Sequence, residues 1–398
     1  MQSQKSTPPY ILFTIVISQF LCTSLWFAGN AILPELVANF GLAPSYLGHL
    51  TSAVQLGFIS GTLLFAILTL ADRFPPSSLF FLCSVLASVC NFILSLDTLN
   101  AITALTSRFG TGFFLAGIYP VGMKIASDYY QKGLGKSLGL LVGALVMGTA
   151  FPHFIRSFTA GLEWHYVVYL TSLGSLIGGT CMLLFVPNGP YRSPSKEFDF
   201  SLFMTVFKEY NFRKAAFGYF GHMWELYAFW AFLPVFLTAY SDIHGRGFDL
   251  SFWSFVIIAV GGISCALGGI LSERSSPKAI AQTALFLSGT CCFLSPLMFW
   301  QQSPILLLVF LVFWGTVVTA DSPMFSTLVA QSAPAQNKGT GLTIVNCIGF
   351  GITIFSIQLL NWVQTAVHPM FLLVTLSIGP ILGLVHFIKF GKSINKGK

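Results

Sequence analysis

Charge is what this sequence has least of. Only 8% of its 398 residues are Asp, Glu, Lys or Arg, against roughly 25% in an average soluble protein. A water-facing surface cannot be built from so few charges, and 55% of the chain is hydrophobic, so the solvent is expected to be lipid. Metal-ligand spacing is missing as well. The eight cysteines, Cys22, Cys83, Cys90, Cys181, Cys265, Cys291, Cys292 and Cys347, lie in apolar runs, where cysteine behaves as a small hydrophobe. Neither a disulfide framework nor zinc is indicated, and no metal or other cofactor is expected. A phosphate-binding loop of the Gly-x-x-x-x-Gly-Lys-Ser/Thr kind is lacking, which argues against ATP-driven work.

What is present is a series of long apolar runs, at about 10–37, 46–71, 78–96, 100–125, 134–157, 165–186, 213–240, 250–271, 279–300, 304–330, 339–363 and 368–389. Most are long enough to cross a bilayer. Pro44, Pro75-Pro76, Pro187, Pro277, Pro304 and Pro369 mark breaks between them. The first run is too long for a signal-peptide core and lacks a small-residue cleavage site, so it is expected to be a retained helix. The expectation is an all-α integral membrane protein of 12 transmembrane helices. Of the 20 basic residues, all but Arg108, Arg156 and Arg246 fall on connections and termini of one side. That is the positive-inside rule, and it puts both termini in the cytoplasm. The net charge of +7 is therefore a topology signal and implies no nucleic-acid partner.

The one long connection, about 187–212, divides the helices six and six. It predicts an N-terminal bundle over 1–187, a cytoplasmic linker over 188–212 and a C-terminal bundle over 213–398. The halves echo one another. Ala31-Ile32-Leu33-Pro34 returns as Ala231-Phe232-Leu233-Pro234, and Asp72-Arg73 with Pro75 as Glu273-Arg274 with Pro277. Lys136-x-x-Gly139-Leu140 returns as Lys338-x-x-Gly341-Leu342. Three echoes in one register point to duplicated, pseudo-symmetric bundles, an arrangement common among secondary transporters.

On these residues the chain resembles a major facilitator superfamily transporter over essentially its whole length. Ala71-Asp72-Arg73-Phe74-Pro75-Pro76 is similar to the core of the superfamily's loop between helices 2 and 3. Arg108-x-x-x-Gly112-x-x-x-Ala116-Gly117 resembles its Arg-bearing motif in helix 4, which the resemblance links to coupling. The antiporter signature of helix 5 is matched only in its small residues Gly139, Gly143 and Gly148 with Pro152. Spaced glycines of this kind read first as a close-packing surface between helices.

Ionisable groups near the bilayer middle are costly and point to function. Glu225 lies about twelve residues into the seventh run, roughly 18 Å at 1.5 Å per residue. His222 shares its helical face, which suggests a shared proton. Arg108 brings a permanent cation with five donors, suited to carboxylate-like or phosphate-like groups. Asp321 is the third acid of interest, either in the site or paired with Lys124 at a gate. Trp26, Asn30, Gln55, Tyr119, Tyr227, Trp230 and Asn346 are further candidates for substrate binding, though polar groups also serve as glue between helices. Asp72, Arg73, Lys124 and Asp128 are assigned to an inner gate.

Together these residues predict a proton-coupled secondary transporter of an inner membrane, working as a monomer by alternating access. Its solute is expected to be small and anionic or polar, including an anionic chelate such as a siderophore, moved by symport. Proton-driven efflux of amphipathic compounds is the alternative. A membrane-embedded enzyme using Glu225 and His222 as acid and base is disfavoured by the duplicated halves. A sensor on the same scaffold would be expected to carry a sizeable extra soluble domain.

Overall fold

Proline opens eight of the described helical segments. Pro9, Pro34, Pro76, Pro120, Pro277, Pro304, Pro323 and Pro369 each occupy the first turn of a helical segment, where the absent N–H has no helical partner to lose. The computed structural model describes residues 8–130, 134–192, 205–272, 275–333 and 338–389. Among these residues, 11 helices are long and apolar enough to cross a membrane. They are Tyr46–Ile67, Pro76–Ser95, Ala101–Tyr129, Gly135–Phe158, His165–Phe185, Tyr210–His244, Leu250–Leu271, Pro277–Trp300, Pro304–Ser332, Gly339–Ala366 and Pro369–His386. These correspond to the second through twelfth predicted runs and are numbered as spans 2 to 12.

Span 1 is helical but broken. It runs as Pro9–Thr23, Ala28–Ala31 and Leu33–Phe40. Pro34 cannot donate to the Asn30 carbonyl and its ring crowds that turn, which loosens the helix at the last of these breaks. Spans 4 and 10 break at matching places. Ala101–Leu115 gives way to Tyr119–Tyr129 around Pro120, and Pro304–Ala320 to Ser322–Ser332 around Pro323. Pro234, the echo of Pro34, instead sits inside the unbroken helix Tyr210–His244. The echoing pair Glu273-Arg274 and most of the long connection lie outside the described residues.

The two sets of six spans meet along two seams. Spans 5 and 8 pack through glycine: a β-carbon at 139 would lie 2.9 Å from Gly269 Cα, and one at 143 would lie 2.7 Å from the Gly262 carbonyl oxygen. Farther along, Phe154 meets Phe255 at 4.9 Å and Ser157 donates to Asp249. Spans 2 and 11 form the second seam. Gln358 Nε2 donates to Gly48 O at 3.0 Å and to Ser52 Oγ at 2.8 Å, and Phe58 packs on Phe350 at 4.5 Å. Large apolar side chains such as Phe13, Ile102, Val309 and Phe355 stay exposed on the outside, as a lipid-facing surface requires.

The glycine seam gives a test. Gly143→Leu should cost this arrangement about 1–3 kcal/mol through overpacking. Buried Cys265, whose carbonyl faces residue 139, should then label faster with maleimide, read by peptide mapping. Unchanged labelling would show that the seam does not hold the halves together.

Candidate functional site

Arg108 is fully buried on span 4. Its Nη2 donates to the carbonyls of Leu25 at 2.8 Å and Trp26 at 2.6 Å, and its Nη1 donates to Asn91 Oδ1 at 3.0 Å. The break in span 1 explains this. Carbonyls at the end of a helical piece have no intrahelical donor, and the guanidinium supplies one. Gly29 makes room, since a β-carbon there would lie 3.3 Å from Arg108 Cδ and Nε. Asn91 is oriented by its amide, which donates to Thr171 and Ser172 on span 6.

Glu225 is fully buried within the C-terminal set of spans. Its Oε1 accepts from Trp314 Nε1 at 2.7 Å and lies 3.5 Å from the Cys292 thiol. Its Oε2 lies 2.8 Å from Ser288 Oγ. The Trp314 ring is held by Phe229, 4.6 Å away and one turn beyond Glu225. Among the described residues no cation pairs with this carboxyl. Arg108 and Glu225 are therefore held by different partners: the first engages spans 1 and 3, the second spans 9 and 10. Backbone carbonyls freed by the break compete for the guanidinium and hold it.

The His222 partner is also different from the one expected. His222 Nδ1 lies 2.8 Å from Asp321 Oδ1, with both side chains buried. Three residues along a helix leaves an offset of about 60°, enough to turn His222 to the break in span 10 while Glu225 faces span 9. Asp321 is the residue between the two pieces of that span. It pairs with His222 and not with Lys124. His222 Nε2 and Asp321 Oδ2 have no protein partner.

Between the two sets of spans lies an aromatic cluster. Trp26 packs against Phe58, Tyr227 and Phe350 with centroids 4.9, 5.7 and 5.7 Å away. Phe27 meets Tyr227 and Trp230, and Tyr227 meets Trp230 at 5.2 Å. The indole N–H groups of Trp26 and Trp230 and both amide atoms of Gln55 are buried without a protein partner. Asn30 donates to Thr51 at 2.9 Å, while its carbonyl oxygen has no partner. Tyr119 is buried at the break of span 4 and Asn346 is half-buried on span 11.

At the basic end, Lys124 Nζ lies 2.9 Å from Asp72 Oδ1 and 3.9 Å from Asp128 Oδ1. Arg73 stays outside this cluster, donating to Thr69 Oγ1 at 3.2 Å. Arg192 holds the loop between spans 2 and 3 by donating to the carbonyls of Asp72 and Phe74 at 2.9 and 3.0 Å. Arg192, Asn91, Ser288, Cys292 and Trp314 all escaped the sequence. Only their positions in apolar runs or on a connection could have drawn notice. Among the described residues no cluster of His, Cys, Asp and Glu could hold a metal ion.

The superfamily model described as Major Facilitator Superfamily matches residues 15–357. No curated protein matches the chain. Solved structures give the fold. The human organic anion transporter MFSD10 has a TM-score of 0.75 at 15% identity, over 96% of this chain and 100% of that one. The proton:xylose symporter XylE has 0.75 at 14% identity, over 96% of each chain. The nucleoside transporter NupG has 0.73 at 14%, over 96% of this chain and 100% of that one. With a family match across most of its length and twelve spans in this arrangement, the protein belongs to the major facilitator superfamily of membrane transporters and is not an enzyme.

Proposed function

We propose that the chain is a proton-coupled secondary transporter, with Glu225 as the proton carrier and its solute bound among the rings where the two sets of spans meet. One observation supports the proton role above others. Ser288 has a single hydroxyl hydrogen but two acceptors in reach, Glu225 Oε2 at 2.8 Å and Leu285 O at 3.2 Å. When Glu225 is ionised, Ser288 donates to it. When Glu225 is protonated, the carboxyl donates to Ser288 and the serine hydrogen turns to Leu285. Both protonation states are hydrogen-bonded, so neither leaves an unsatisfied polar group in the membrane interior.

The surroundings of the ring cluster favour a solute with a flat apolar face and a few hydrogen-bonding groups. Trp and Tyr faces offer stacking or attract a cation, while Gln55 and the two indole N–H groups offer polar contacts. A small inorganic anion or an anionic chelate would find no free cation there, since Arg108 is held by carbonyls. Amphipathic or aromatic solutes are thus preferred to the anionic class expected from sequence. The protein is placed in an inner membrane as a monomer with the basic end in the cytoplasm, and Asp72, Lys124 and Asp128 are assigned to the closing of that end.

The test is a pH-sensitive dye trapped in proteoliposomes challenged with two sets of solutes, aromatic or amphipathic compounds and small anions. Proton movement with the first set is expected. Movement with small anions alone would overturn the solute class, and no movement with either would overturn proton coupling. Ser288→Ala should slow driven transport about ten- to a hundredfold, the loss of one hydrogen bond to a charged group at about 1.5–3 kcal/mol. Ser288→Thr, which keeps the hydroxyl, should retain it. Equal rates for Ser288→Ala and the parent would remove Ser288 from the mechanism.

A further inference from the structure

Apart from the transport site, the basic ends of spans 7 and 12 form a small pocket of about 60 Å³, lined by Tyr210, Arg213, Lys214, Phe217 and His386. Lys214 decides what this pocket is for. It is only 8% exposed, and no carboxylate lies within ion-pair distance of it among the described residues. Its ammonium sits 4.7 Å from the centre of the Tyr210 ring. A ring face offsets part of the desolvation of a cation, but a buried ammonium calls for an anion. Arg213 stands beside it in sequence, half-buried. His386 forms the opposite wall, its ring stacked on Phe217 with centroids 4.3 Å apart and planes 8° from parallel. Phe217 is itself 37% exposed on the outer, apolar surface.

We infer that this pocket binds the phosphate headgroup of an anionic phospholipid, with the acyl chains lying along Phe217. Three features support a lipid over a free anion. The pocket carries basic groups of the kind that attract anionic leaflets. It lies at the end of the protein where the basic connections cluster, which the positive-inside pattern places at the leaflet surface. Its wall continues into an exposed aromatic side chain, which a lipid tail covers and a soluble anion does not. The inference is independent of the transport reading, because none of these residues touches Glu225, Arg108 or the ring cluster.

The test uses the full chain in a neutral detergent, with thermal stability and native mass spectrometry as readouts and three additions: phosphatidylglycerol, phosphatidylcholine and inorganic phosphate. Phosphatidylglycerol should raise the unfolding temperature and remain bound, whereas phosphatidylcholine should not. Lys214→Gln should weaken that binding about tenfold, a difference of about 1.4 kcal/mol, and Lys214→Arg should keep most of it. If Lys214→Gln fails to fold, Arg213→Gln and His386→Gln should each show a partial loss. Glu225→Gln should bind the lipid as the parent does. Equal effects of the two lipids, or undiminished binding in all the pocket variants, would overturn the assignment. Full stabilisation by inorganic phosphate alone would leave an anion site and overturn the lipid.

Discussion

Proteoliposomes carrying Glu225→Gln should let solute equilibrate and then stop, with no accumulation against its gradient. A pH difference of one unit stores about 1.4 kcal/mol per proton, enough for roughly tenfold accumulation at one proton per solute. Glutamine has nearly the shape of the carboxyl and its carbonyl oxygen can still accept from Trp314 Nε1, 2.7 Å away in the parent. Ser288 can turn its hydrogen to Leu285 O at 3.2 Å. The site therefore keeps its packing and loses only the exchangeable proton. Accumulation should fall from about tenfold to unity while downhill exchange persists. The His222–Asp321 pair is the rival carrier, and Asp321→Asn separates the two. If that variant abolishes accumulation while Glu225→Gln retains it, the proton rides on the pair.

Arg108→Ala should be among the most destabilising single changes in the chain. It removes a fully buried side chain and strands three acceptors, the carbonyls of Leu25 and Trp26 and the amide oxygen of Asn91. Each stranded buried acceptor costs about 1–3 kcal/mol. Breaking a buried charged group from its partners costs roughly 3–5 kcal/mol overall, and we expect a loss of that size. The check is thermal unfolding without any solute. A residue that served only to attract solute would leave this baseline unchanged and lower solute-induced stabilisation instead. Arg108→Lys should recover only part of the loss, because one ammonium lacks the planar fork that spans two carbonyls and an amide.

The spans could be read from sequence because lipid imposes a length and an apolar character on every crossing, and spans 2 to 12 fall where the runs predict. The places of Arg108, Glu225 and Asp321 along their spans could be counted off in the same way. Their partners could not. Trp314 and Ser288 lie 89 and 63 residues from Glu225, and nothing local links a tryptophan in one apolar run to an acid in another. Backbone carbonyls carry no residue label at all, so the true partners of Arg108 left only an indirect trace in Gly29, which lies against the Arg108 side chain. The echo of Pro34 in Pro234 also misleads. A single proline removes one helical bond, here the one to the Trp230 carbonyl, which a membrane helix tolerates. Span 1 gives way because Arg108 accommodates the freed carbonyls.

The matched interruptions at Pro120 and Pro323 bear on how the basic end opens. Beyond each lies a rod of 11 residues, Tyr119–Tyr129 and Ser322–Ser332, about 16 Å long at 1.5 Å per residue. Swinging such a rod by 20° about its proline carries the tip roughly 5–6 Å, the width of one helical turn. Two levers of equal length, each pivoting at its own proline in one of the two bundles, would then unlatch that doorway while the distal portions of spans 4 and 10 stay clamped.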